Sequence, residues 1–425
     1  MFSSFFSTAP PVDPNAPNFH PVSSGKDASQ LFGELEPRDT EWTCAGGFAV
    51  ETQIWYNMLE DGRSLMCQVI HSALGVWYPT IQFTCKIYDP ASGESTWKSI
   101  NVTNFVTPPP GLDKRSSKAD QFMITHKENP GSDTPESYTI RVNLDNELQI
   151  SLDVTRPASA PGWKVGKGPQ GGFSYFGHDP ANAEGYVVHR FWPLHHATGT
   201  IVRKGHAEAI RGPGMFVHAI QGMRVNLVAS RWNFAHFISP QHGGCTAIQM
   251  EFTTTEAYGR HGDKTGFVTV NVGSLVLGGK LAAVTAETKY PGEALPESAG
   301  VMSRAVHSKT TKDAETSYDA PTELVFRWAA PSIVTEAQGP IDATLRIDVG
   351  QPDAYKGLVE KVDVLAEIPY VIKTMVNYVA GTKPYIYQWY NPAKLNVHLP
   401  SGLIEGVDGE VELEGMLYNE ATFIS

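Results

Sequence analysis

Residues Phe216–Gly259 read FVHAIQGMRVNLVASRWNFAHFISPQHGGCTAIQMEFTTTEAYG and lie near the middle of a 425-residue chain. Their composition is wrong for a linker, because bulky Phe216, Trp232, Phe234, Phe237, Met250 and Phe252 are interleaved with polar Gln221, Asn233, His236, Gln249 and Glu251. Two strand-like runs, Arg231 to Phe237 and Thr246 to Thr253, are separated by Ser239-Pro240 and Gly243-Gly244, which is turn chemistry. The spacing predicts a buried hairpin at a junction between folded units.

On both sides of this hairpin the chain repeats a period of two. Ile81, Phe83, Cys85 and Ile87 alternate with Gln82, Thr84 and Lys86; Tyr138, Ile140, Val142 and Leu144 follow the same rule, as do Leu148, Ile150, Leu152 and Val154. In the second half Val268, Val270 and Val272 alternate, then Ile341, Ala343, Leu345 and Ile347, then Leu395, Val397 and Leu399. Such runs predict an all-β fold of two tandem lipocalin-like antiparallel β-barrels with few helices. A single core stops growing at about 250 to 300 residues, so the chain divides. The predicted units are a flexible Pro-rich segment over 1–40, a first barrel over 41–212 and a second over 213–425. The polar stretch from Tyr290 to Tyr318 predicts a long exposed loop. One amphipathic helix is predicted after Pro369, on the spacing of Val371, Ile372, Met375, Val376 and Val379.

Composition narrows the function. A formal net charge of −12 argues against nucleic acid as a partner and against strong attraction to anionic lipid. Cys44, Cys67, Cys85 and Cys245 have no C-x-x-C spacing and are expected as reduced, mostly buried thiols. No apolar run is long enough for a membrane span, and MFSSFFSTAPP lacks the basic start of a signal peptide, so a cytoplasmic location is expected. Phe2, Phe5 and Phe6 fall at helical spacing and predict a weak, transient membrane contact. Adjacent His195 and His196 point to opposite faces of a strand, no metal-ligand spacing occurs elsewhere, and no metal or other cofactor is expected. The Gly-rich segment Gly162–Gly177 has no Lys-Ser or Lys-Thr pair following a strand, as a phosphate loop requires, and reads as a loop admitting aromatic rings closely.

For a ligand, the mixture of large apolar and polar groups in RWNFAHF and AIQMEF suits a mostly apolar pocket with a few fixed polar contacts. The predicted ligand-binding set is Trp232, Asn233, Phe234, Gln249 and Glu251, with Phe191 and Trp192 added from the FWP phrase.

Phrases spread along the chain carry a family resemblance: VETQ at Val50, CQVIHS at Cys67, QFTCKIYDP at Gln82, SYFGHDP at Ser174, FWPLHHATGTI at Phe191, VDVLAEIP at Val362, VAGTKPYIYQ at Val379 and EATFIS at Glu420. Together with FVHAIQGM, RWNFAHF and AIQMEFTTTEAYG they resemble the fungal survival factor 1 family. That resemblance implies tandem lipocalin-like domains, binding of a long-chain neutral lipid such as ceramide, transfer between endoplasmic reticulum and Golgi membranes, and survival under oxidative stress. Two departures stand out. The membrane-binding helix usual at the start of the family is shortened here to MFSSFFS, and the usual Arg-His pair before FWP reads Val188-His189-Arg190. Related lipocalin-like proteins include pericyclases, and on that alternative Glu51, Trp232 and Lys383 are the catalytic candidates.

Overall fold

The computed structural model describes residues 13, 15–75, 78–145, 147–367 and 383–424. From Gly47 the chain runs as an antiparallel meander of four strands, Gly47–Met58, Ser64–Gly75, Thr80–Asp89 and Glu94–Asn101. A second run follows through Ser117–Lys118, Phe122–Glu128, Glu136–Asn143, Leu148–Arg156, Gly185–Arg203 and His206–Gln221. Its last strand pairs back onto the first, with His218 opposite Gln53, and so curls the sheet into a barrel. The second half repeats this plan. Arg231–Ser239, Cys245–Thr253, Thr269–Leu277 and Lys280–Lys289 form the first meander; Met302–Lys312, Asp319–Pro331, Pro340–Asp348, Tyr385–Ile404 and Val407–Phe423 form the second. Again the last strand closes on the first, with Ala421 opposite Asn233.

Three apolar layers result. Inside the first barrel Trp55, Tyr138, Trp192 and Phe216 pack ring on ring, with centroids 5.1 Å apart for Tyr138–Trp192 and 5.1 Å for Trp55–Phe216. Inside the second lie Phe237, Leu275, Phe326, Trp328, Leu345 and Trp389. The third layer sits between the sheets and includes Phe191, Met215, Phe234, Ile248, Phe252 and Val270. The period of two explains why the central hairpin is apolar on both sides: even-numbered residues of Arg231–Ser239 face the other sheet, odd-numbered ones the barrel interior.

The chain from residue 15 to residue 40 is docked, which corrects the expectation of a flexible segment there. Phe19–His20 pairs with Phe173–Phe176, and Phe32–Glu34 pairs with Trp163–Val165. Phe19, Val22 and Leu31 are buried, and the Phe19 ring meets Phe252 of the second sheet at 6.0 Å. Prolines forbid helix but tolerate short edge strands, and three apolar side chains anchor them. The Gly-rich segment supplies the pairing strands. Gly162 is required by close approach, since a Cβ there would fall 2.7 Å from Leu35 Cδ1 and 2.9 Å from Trp192 Cδ1.

The strand His206–Gln221 runs through the expected boundary at 212/213 and stays in the first sheet; the change of sheet falls after it, around the short helix Val225–Val228. Residues expected as a loop between Tyr290 and Tyr318 contain the strand Met302–Lys312, an edge strand whose polar composition reflects its exposed side. The four cysteines are free thiols, with Cys67 directly opposite Cys85. Among the described residues no helix is long and apolar enough to cross a membrane. The helix expected after Pro369 and the contact expected from Phe2, Phe5 and Phe6 lie outside the described residues.

Candidate ligand site

Strand register stacks the inward side chains of the second barrel into levels. At the upper level Tyr387, Ala421, Asn233, Glu251, Asn271 and Glu287 follow one another in direct cross-strand opposition. Asn233 Nδ2 donates to Glu251 Oε1 at 2.8 Å, and Asn271 Nδ2 donates to Glu251 Oε2 at 2.9 Å. Ser303 Oγ donates to Asn271 Oδ1 at 2.7 Å, and His307 Nε2 donates to Asn233 Oδ1 at 2.8 Å. Burial pushes the Glu251 carboxyl above its ordinary range although its neighbours all donate to it. Burial, with Arg231 nearby, pushes His307 down to about 3, so its ring is neutral.

This level also closes the barrel where its backbone ladder does not. The strands Lys280–Lys289 and Met302–Lys312 are not paired. Glu287 bridges them instead, accepting from Ser303 N at 3.3 Å while holding Arg304 through two contacts of 2.6 Å, and Glu251 reaches across from Cys245–Thr253 to accept from Ala305 N at 3.2 Å. Without these acceptors the edge amides would be left unpaired.

One level down stand Trp389, Asn419, Ala235, Gln249, Gly273 and Thr285, again in direct register. Gln249 Nε2 donates to the Arg327 carbonyl at 2.6 Å. Gly273 admits the Trp328 indole, whose Nε1 lies 3.0 Å from where a Cβ would be. Asn419 differs from its neighbours. It is fully buried between inward-facing Leu417 and Ala421, and neither its Nδ2 nor its Oδ1 has a partner; the Trp389 Nε1 opposite it has none either. Leaving such a buried group unpaired costs about 1–3 kcal/mol. The next level, Leu417, Phe237, Ala247, Leu275 and Ala283, is apolar. A polar belt therefore sits over a packed apolar level.

The predicted ligand-binding residues do not share one space. Asn233, Gln249 and Glu251 belong to this belt. Trp232, Phe234 and Phe191 lie on the layer between the sheets, where the half-buried Trp232 ring packs on Phe252 at 5.2 Å and edge-on to His189 at 5.9 Å. Beside them is a narrow cleft lined by Val22, Val165, Ser174, His189, Met250 and Val272. Burial pushes His189 down to about 4. Trp192 is part of the first barrel's packed aromatic core.

The three alternative catalytic residues are dispersed as well. Glu51 is inside the first barrel, Trp232 outside the second, and Lys383 is exposed on the surface. Glu51 is fully engaged: it accepts from Thr43 N and Oγ1 and from Cys44 N, and meets His218 Nε2 at 2.8 Å. Burial raises its pKa, but the His218 and Thr43 contacts outweigh that and hold it below its ordinary value. The docked segment thus stoppers the first barrel's polar belt, with Gln53 Nε2 donating to the Thr40 carbonyl and His218 Nδ1 to that of Asp39. His195 is buried and His196 exposed, as strand alternation requires, and among the described residues no group of three metal-ligating side chains converges.

Sequence reasoning missed Asn271, Ser303, His307, Trp389 and Asn419. Only Asn271, polar between Val270 and Val272, carried a local signal.

Two curled antiparallel sheets, each with a packed apolar interior and a level of buried polar groups, define a two-barrel protein of the lipocalin-like class. Solved structures share this fold: that of CghA superposes with a TM-score of 0.56 at 10% identity over 89% of each chain, and that of CghA with Sch210972 gives 0.56 over 96% of this chain and 99% of the other. The chain belongs to the Svf1 family, whose model matches residues 2–425. It is 32% identical to the ceramide-binding protein svf1 of Schizosaccharomyces pombe over 100% of this chain and 98% of the relative. It is equally 32% identical to that of Emericella nidulans, over 95% and 93%.

Proposed function

We propose that the protein binds a long-chain neutral lipid of the ceramide type inside its second barrel, the polar end at the belt and the chains toward the apolar level below. The observation that carries this reading is the lengthwise amphipathic interior, Asn233, Gln249, Glu251 and Asn419 above Phe237, Leu275 and Leu417. Relatives named ceramide-binding proteins support it. A ceramide carries about 30 methylenes, and exposing them at ~0.8 kcal/mol each costs on the order of 25 kcal/mol, so passage through water requires enclosure. Transfer between endoplasmic reticulum and Golgi membranes, a role in survival under oxidative stress, a cytoplasmic location and a weak membrane contact through Phe2, Phe5 and Phe6 belong to the same proposal. A pericyclase reading is not favoured, because Glu51, Trp232 and Lys383 face three separate environments. Native mass spectrometry of the purified protein tests the proposal: a co-purifying long-chain sphingolipid is expected. Protein that stays free of lipid after incubation with ceramide-containing vesicles would overturn it.

A further inference from the structure

Buried polar atoms in folded proteins are almost always paired, and each exception calls for an explanation. In the second barrel two such exceptions stand directly opposite each other. Asn419 and Trp389 occupy facing positions on the last two strands, both fully buried, both pointing inward with Tyr387, Leu417 and Ala421. The Asn419 amide offers two N–H donors and one carbonyl acceptor, the Trp389 indole one N–H donor, and none of these is used. On its other side Asn419 faces Ala235, whose methyl group offers no partner. The other polar side chains named at these two levels are hydrogen-bonded, Tyr387 to Thr316 and Asp313 and the rest around the belt, while the Tyr355 hydroxyl, on a ring 5.5 Å from Trp389, is unpaired as well.

We infer that Asn419 and Trp389 form the recognition site for a secondary amide of the bound lipid, so that the protein selects amide lipids over ester lipids of equal apolar bulk. This rests on the proposed lipid-binding function and adds the group that is read. The chemistry is complementary. An acceptor on Asn419 demands a donor from the ligand, and the free donors on Asn419 and Trp389 demand an acceptor close beside it; a secondary amide carries both within one planar unit. An ester supplies acceptors only and would leave the Asn419 carbonyl unmatched. Sites built to hydrogen-bond a ligand group reject analogues lacking it far more strongly than apolar pockets reject a change of size.

The test compares a fluorescent ceramide with a diacylglycerol of matched chains and the same fluorophore. Wild-type protein should prefer the ceramide by about tenfold or more. Asn419→Leu should bring ceramide affinity down to that of the diacylglycerol, and Trp389→Phe, which keeps the ring and loses the donor, should narrow the gap. In urea unfolding without lipid, Asn419→Leu should be as stable as wild type or more so, since an unpaired amide is exchanged for an apolar group of similar size. Retained ceramide preference in Asn419→Leu, equal affinity of wild type for both lipids, or a marked stability loss in Asn419→Leu would each overturn the inference while leaving lipid binding intact. Binding of neither lipid by wild type would overturn the proposed function, and the inference with it.

Discussion

Trp232 and Asn233 are neighbours in sequence and face opposite sides of one strand: the indole packs on Phe252 at 5.2 Å between the sheets, and the amide donates to Glu251 at 2.8 Å inside the second barrel. The central hairpin thus serves two layers at once. Packing between the barrels and the chemistry of the interior are separable by single substitutions.

Trp232→Ala should therefore lower stability without touching the lipid. Fully buried Trp192 should cost about 3–5 kcal/mol on truncation, and half-buried Trp232 less, about 1–3 kcal/mol. Urea unfolding measures the loss and ceramide titration the affinity. A sharp fall in affinity for Trp232→Ala with little loss of stability would place the ligand between the sheets.

Glu51 and Glu251 should act on stability in opposite directions with pH. Glu51 is held below its ordinary value, so it contributes stability at neutral pH that is lost as the pH falls through its depressed folded value. Glu251 is held above its ordinary value, so its contribution is full below the unfolded carboxylate value and declines as the pH rises through the raised one. Unfolding of Glu51→Gln and Glu251→Gln from about pH 3 to about pH 8 reads both. The first variant should flatten the acid limb and the second the decline toward neutrality; curves parallel to wild type would refute the assignment.

Lys86 ties the barrels together. It is 4% exposed, bonds Gln388 Oε1 at 2.6 Å, pairs with Glu360, and lies 4.7 Å from the centre of the Trp97 ring. Breaking a buried pair costs about 3–5 kcal/mol, and partial solvation of the Glu360 carboxylate reduces this, so Lys86→Ala should lose about 2–4 kcal/mol. An unchanged unfolding midpoint would mean the seam is held by apolar contacts alone.

The strands were legible where burial of one face alone imposes a period of two, and the all-β fold of two lipocalin-like barrels followed from that. The assignment of faces was not. Trp232, Asn233 and Phe234 read locally as one polar-apolar mixture, and only the register with Phe252, Glu251 and the closing strand at Ala421 separates them into two layers. Asn419 lies in YNEATF, where nothing local marks it as inward and unpaired. The short strands at Phe19–His20 and Phe32–Glu34 were hidden for a related reason: two or three residues set no period, and their partners are more than 120 residues away.

The location of the lipid is the centre of this account, and a ceramide bearing a photoactivatable group in its acyl chain measures it directly. After irradiation and peptide mapping, label should concentrate on the inward residues of Arg231–Ser239, Cys245–Thr253 and Val407–Phe423, with Phe237 and Leu417 foremost. Label confined to the cleft around His189 and Met250, or to the first barrel, would contradict it.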